Sequence, residues 1–230
     1  MISHKHKCIF VHVPKAAGTS IERVFLEDLD LDMDNRHSLL LGQNNNNRLG
    51  PRRVSHLFAS DYVNHHYISR ELYDSYYKFS FVRNPFTRLF STYKFLGYDE
   101  LYSFDEFIQK KLRLLLNNPK FDFFLKPSYD YLFDTDGNCL VDFIGKFESL
   151  NDDFIKITNK IDFYKSDTKL KHYNKTNFSN RNLVKRTYGK VIKFLLSKNS
   201  DYKISDLSRE IVLEIYNRDF ENFGYLSSGE

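Results

Sequence analysis

The segment Cys8-Ile9-Phe10-Val11-His12-Val13-Pro14-Lys15-Ala16-Ala17-Gly18-Thr19-Ser20 decides the fold class. Cys8 to Val13 are apolar and β-branched enough for a buried strand, and Pro14 ends the run because proline has no amide to donate to a sheet. Past the small residues come Ile21, Val24, Phe25 and Leu29, spaced close to the helical period. Thr19 or Ser20 is the expected cap of that helix. The order is strand, tight loop, helix, with a lysine in the loop. Such a loop suits a phosphate: small side chains let backbone N–H groups reach the anion, the helix dipole favours negative charge, and two hydroxyls add donors. An ordinary strand-to-helix turn with a solvated Lys15 is the competing reading.

A second segment, Phe81-Val82-Arg83-Asn84-Pro85-Phe86-Thr87-Arg88-Leu89-Phe90-Ser91, repeats the arrangement. Lys78 to Val82 reads as a buried strand ending at Arg83. Asn84 then caps a helix with Pro85 at its first position. The apolar face of this helix is Phe86, Leu89, Phe90 and Tyr93, which leaves Thr87, Arg88, Ser91 and Lys94 on the other side. An arginine thus stands at the carboxyl end of one strand and a serine on the non-core face of the next helix. The guanidinium offers a planar fork to a phosphate. Two anion sites on one sheet edge imply a ligand with two phosphate groups, bound where open α/β sheets bind ligands.

The rest of the chain agrees with an α/β layer fold. Asn44 to Asn47 and Gly50-Pro51 read as a surface loop, Val54 to Leu57 as a short strand, and Ser60 through Tyr77 as one or two short helices. Ser103 to Leu116, Leu150 to Ile161 and Leu207 to Phe220 have helical patterns. Asp134 to Asn138 is a turn between Tyr131-Leu132-Phe133 and Leu140 to Ile144. Strands interleaved with helices predict a central, mainly parallel sheet flanked by helices in one domain, residues 1–230.

Composition narrows the function. The 230 residues carry 34 basic and 30 acidic side chains, a net charge of +4, which favours anionic ligands without announcing nucleic acid. None of the nine glycines makes a GxG pair, and neither Gly-Lys pair, Gly145-Lys146 or Gly189-Lys190, continues with Ser or Thr. The dinucleotide fingerprint and the Walker loop are therefore absent, as are HExxH and GxSxG. Cys8 and Cys139 lie too far apart for a CxxC motif and read as reduced thiols. No apolar run is long enough for a membrane span or signal segment, so a cytoplasmic chain without a membrane partner is expected. His12 reads as a hydrogen-bonded core histidine, His65 and His66 as surface residues, and His4 and His6 as part of a mobile terminus. Lys165 to Lys203 gathers eleven Lys and Arg residues, as either a solvated basic helix or a wall that attracts anions.

Together, Pro14 to Ser20 and Arg83 to Ser91 resemble the phosphosulfate-binding loop and the 3′-phosphate-binding strand and helix of sulfotransferases that use 3′-phosphoadenosine 5′-phosphosulfate. The run Phe-Val-Arg-Asn-Pro-Phe-Thr-Arg-Leu-Phe-Ser-Thr-Tyr is similar to the carbohydrate sulfotransferases of the second sulfotransferase family. So are Asp142 to Glu148 and Ile215 to Phe220. The resemblance implies a P-loop-type sulfotransferase fold and transfer of a sulfuryl group to a hydroxyl of a carbohydrate or glycan-like acceptor, without a metal. It implies that Lys15, Ala16, Ala17, Gly18, Thr19 and Ser20 hold the 5′-phosphosulfate, with Lys15 also neutralising the leaving phosphate, and that Arg83 and Ser91 hold the 3′-phosphate. His56 is similar to the family's histidine between the two nucleotide motifs and is the candidate base. His172 to Thr176 resembles a polar segment that closes over the nucleotide. A non-catalytic nucleotide- or polyanion-binding protein on the same fold is the alternative, and a nucleotide kinase a more distant one.

Overall fold

In the computed structural model the described residues are 1–161, 163 and 202–226. The basic stretch, apart from Tyr202 and Lys203, and the segment His172 to Thr176 lie outside them. The chain divides into two compact units. One holds Met1–Arg83 and the described part of Ser128–Tyr173; the other holds Asn84–Pro127 and the described part of Asn174–Glu230.

The first unit is built on a sheet whose strands, β1 (Ile2–Ser3), β2 (Cys8–Val11), β3 (Tyr77–Val82) and β4 (Phe143–Lys146), lie in that order. β1 is antiparallel to β2, while β2, β3 and β4 run parallel. Phe10 pairs with Phe79, and Phe81 with Gly145. A Cβ at Gly145 would stand 2.5 Å from the Phe81 ring, so the rung is complete only with a glycine. Helices α1 (Gly18–Asp28), α2 (Asp61–Asn64) and α3 (Arg70–Ser75) precede β3 in the chain. Phe25 of α1 stacks on Phe79 with ring centroids 6.2 Å apart, and this seats α1 on the sheet.

Helices α4 (Pro85–Leu96), α5 (Phe104–Phe107), α6 (Arg113–Leu116) and α7 (Asp122–Leu125) belong to the second unit. Helices α8 (Ser128–Leu132) and α9 (Leu150–Lys160) return to the first, and α10 (Asp206–Phe223) completes the second. The second unit's core is aromatic and aliphatic: Phe86, Leu89, Tyr93, Phe104, Phe107 and Leu112 meet Val212, Tyr216 and Phe220. As expected, the Asn84 side chain caps α4 by accepting from the Phe86 amide, at 3.0 Å.

Several sequence expectations need correction. Val54 to Leu57 is no strand; Val54–His56 is a 3₁₀ turn closed by the His56 amide on the Arg53 carbonyl. Neither Thr19 nor Ser20 caps α1, because the helix already begins at Gly18 and Ala17 holds the capping position with no side-chain bond. The helix expected over Ser103 to Leu116 starts with a Ser103/Glu106 capping box but widens into a π turn at Ile108–Leu112. Arg88 is not on an open face. Helices α7 and α10 pack on α4 as well, leaving Arg88 2% exposed, with its guanidinium donating to the Lys126 carbonyl at 2.7 Å and 4.0 Å from Asp219. Residues 2–7 are not loose: β1 pairs with β2, the His4 ring bonds the Tyr76 hydroxyl, and His6 is buried between Ser3 Oγ and the Asp28 carboxylate.

Candidate functional site

The loop between β2 and α1 is held in an uncommon backbone shape. Lys15 has φ 67° and Ala17 has φ 69°, the left-handed region that costs a side-chain-bearing residue about 1–2 kcal/mol each. Such strain persists where surrounding structure fixes it, and it gathers at binding sites. Here it turns the chain so that α1 starts three residues after the lysine. The Ser20 amide bonds the Ala17 carbonyl at 2.9 Å, whereas the Gly18 and Thr19 amides have no carbonyl a turn earlier to meet. These first-turn amides and the α1 dipole suit an anion, and the Thr19 and Ser20 hydroxyls, unused as caps, stand in the same turn.

Gly18 does more than keep the loop small. Its φ is not among the positive ones, so backbone freedom is not its purpose. A Cβ at this position would lie 1.9 Å from Nε2 of His12. The His12 imidazole therefore fills the space beside the helix start, and its Nδ1 is 2.7 Å from Oε1 of Glu22, one helical turn after Gly18. The reading of His12 as a buried, hydrogen-bonded histidine holds, since the residue is 6% exposed.

Lys15 and Arg83 follow the carboxyl ends of the adjacent parallel strands β2 and β3. Burial, and secondly the nearby Arg83 charge, lower the Lys15 ammonium from 10.5 to about 8. Two cations whose charges bear on each other favour an anionic ligand. Arg83 lies over the Phe147 ring, 4.1 Å from its centroid. The strand register explains the contact: Val82 pairs with Lys146, so Arg83 and Phe147 each come one residue past the paired strand ends. Sequence reasoning missed Phe147 as a platform, although its position one residue past a strand end was a usable signal.

His56 sits at the end of the 3₁₀ turn Val54–His56. Its Nδ1 is 3.2 Å from the His12 carbonyl, and its ring stands at 63° to the His12 ring with centroids 4.3 Å apart. A carbonyl can only accept, so Nδ1 carries the proton and the neutral ring keeps its lone pair on Nε2. Burial, then the neighbouring His12, hold the imidazole well below 6.5 and hence neutral at pH 7. The first unit thus brings Lys15 to Ser20, Arg83 and His56 together with His12, Glu22 and Phe147. Ser91 is partly exposed on α4 in the second unit.

Comparison with known proteins adds three findings. The model of the Sulfotransferase family matches residues 1–226. Over 98 residues, 41% of this chain and 74% of the relative, the sequence is 32% identical to an uncharacterized protein of Archaeoglobus fulgidus. No solved structure matches the chain. Among the described residues, no helix is long and apolar enough to cross a membrane.

Proposed function

Since the chain belongs to the sulfotransferase family, whose general chemistry is sulfuryl transfer, we propose that it moves a sulfuryl group from 3′-phosphoadenosine 5′-phosphosulfate to a hydroxyl of a carbohydrate or glycan-like acceptor. The observation that carries the reading is the strained loop at Lys15 and Ala17 that leads into the first-turn amides of α1, with Arg83 at the end of the adjacent parallel strand. In this proposal the first unit holds a P-loop-type nucleotide site. The Gly18 and Thr19 amides, the two hydroxyls and Lys15 receive the 5′-phosphosulfate. Arg83, which lies over the Phe147 ring, receives the 3′-phosphate.

The acceptor oxygen attacks sulfur in line as the bond from sulfur to the bridging oxygen breaks, leaving 3′,5′-bisphosphoadenosine. Lys15 balances the charge that grows on that departing oxygen. His56 takes the acceptor's proton on Nε2 while Nδ1–H stays on the His12 carbonyl, so the ring need not turn during the step. The test is incubation with sulfur-labelled donor and a panel of sugars, oligosaccharides and small alcohols. Labelled product with stoichiometric bisphosphoadenosine is expected, and His56→Ala should lower kcat by about 10²–10⁴-fold. Binding of bisphosphoadenosine with no transfer to any acceptor would select a non-catalytic binding protein instead.

A further inference from the structure

Glu22 carries a buried carboxylate that the proposed chemistry does not use. It is 7% exposed, and its Oε1 is 2.7 Å from His12 Nδ1. The carboxylate oxygen accepts, so His12 donates from Nδ1. The His12 ring is confined on its other sides too: it stacks on Phe10 at 17°, fills the volume a Gly18 side chain would need, and meets the His56 ring edge to face. His12 also offers its carbonyl to His56 Nδ1. One residue therefore holds His56 through both its backbone and its side chain, and the side-chain half is anchored by Glu22.

We propose that Glu22 is a positioning residue that acts through His12 to keep His56 in one orientation and one tautomer, with the proton on Nδ1. The inference rests on the reading of His56 as base, but the geometry it concerns can be measured without turnover. With the carboxylate in place the His12 ring cannot rotate about its side-chain bonds, and the His56 ring packs against a fixed wall. Without it, His12 turns, the wall loosens, and the His56 imidazole samples orientations in which Nδ1 leaves the carbonyl.

The experiment is nitrogen NMR of histidine side chains in the full chain, paired with transfer kinetics. In the wild-type protein His56 should show a protonated Nδ1 and an unprotonated Nε2. Glu22→Leu should average or exchange those two signals while unfolding stays cooperative, and kcat should fall about 10- to 100-fold with the donor KM unchanged, the range seen when outer supporting partners are removed. Glu22→Gln should restore most of both readouts, because its amide oxygen still accepts from His12 Nδ1. His12→Phe, which keeps a ring but cuts the bond to Glu22, serves as the second variant should Glu22→Leu fail to fold, and the same change at His56 is expected. Unchanged His56 signals in either folded variant overturn the proposal, whatever the activity. Altered His56 signals in a protein that transfers no sulfuryl group would support the positioning role and overturn the functional reading.

Discussion

Replacing Lys15 by methionine should stabilise the ligand-free protein. The ammonium is lowered from 10.5 to about 8, first by burial and then by Arg83. At about 1.36 kcal/mol for each tenfold change in proton affinity, the charged form costs the folded state up to ~3 kcal/mol. The sign follows from proton counting. Below pH 8 both folded and unfolded chains carry the proton and the whole cost is present; between about 8 and 10.5 the unfolded chain binds more protons, so stability rises with pH; above 10.5 the cost is gone. Methionine keeps the unbranched apolar stem and removes the charge. Urea unfolding at pH 7 should therefore show the variant more stable by about 1–3 kcal/mol, and at pH 9.5 by about 1 kcal/mol or less. Saturating bisphosphoadenosine should shrink or cancel that gain, because losing a charge-assisted contact of about 1.5–3 kcal/mol weakens binding about 10- to 150-fold. A variant less stable than wild type at pH 7, or a gain that does not shrink at pH 9.5, would mean that the buried Lys15 charge does not cost the fold stability.

Gly18→Ala should destabilise by about 1–3 kcal/mol in urea unfolding, since its Cβ would meet the His12 ring; His12→Ala in the same chain should recover part of that loss. Phe147→Ala should weaken bisphosphoadenosine binding about two- to fivefold by calorimetry, the worth of a partly exposed cation–π contact, and leave AMP binding unchanged. Asp219→Ala, which strands the buried Arg88 guanidinium, should cost about 3–5 kcal/mol, and joining it to Arg88→Met should cost less than the single change.

The strand, loop and helix around Lys15 and the capped helix after Arg83 were legible because local chemistry sets them: proline ends a ladder, asparagine caps, and apolar residues recur at the helical period. The mainly parallel sheet followed from the alternation of such elements. What stayed hidden was set by tertiary packing. Arg88 occupies an outward position by periodicity, yet two further helices cover that face and bury it. Val54–His56 has strand-like composition but lies in a turn, where His56 meets the His12 carbonyl. The loop's cap was misread because left-handed backbone at Lys15 and Ala17 is not written in the identities of lysine and alanine. For the same reason Gly18 passed as a small loop residue, when its lack of a side chain makes room for His12.

The most direct measurement is calorimetric titration of the protein with 3′,5′-bisphosphoadenosine and with AMP, in wild type and Arg83→Ala. Wild type should prefer the 3′-phosphorylated nucleotide by at least about tenfold, the worth of one charge-assisted fork, and Arg83→Ala should bind both nucleotides about equally. Equal binding of the two by wild type, or a preference that survives in Arg83→Ala, would mean that Arg83 holds no 3′-phosphate.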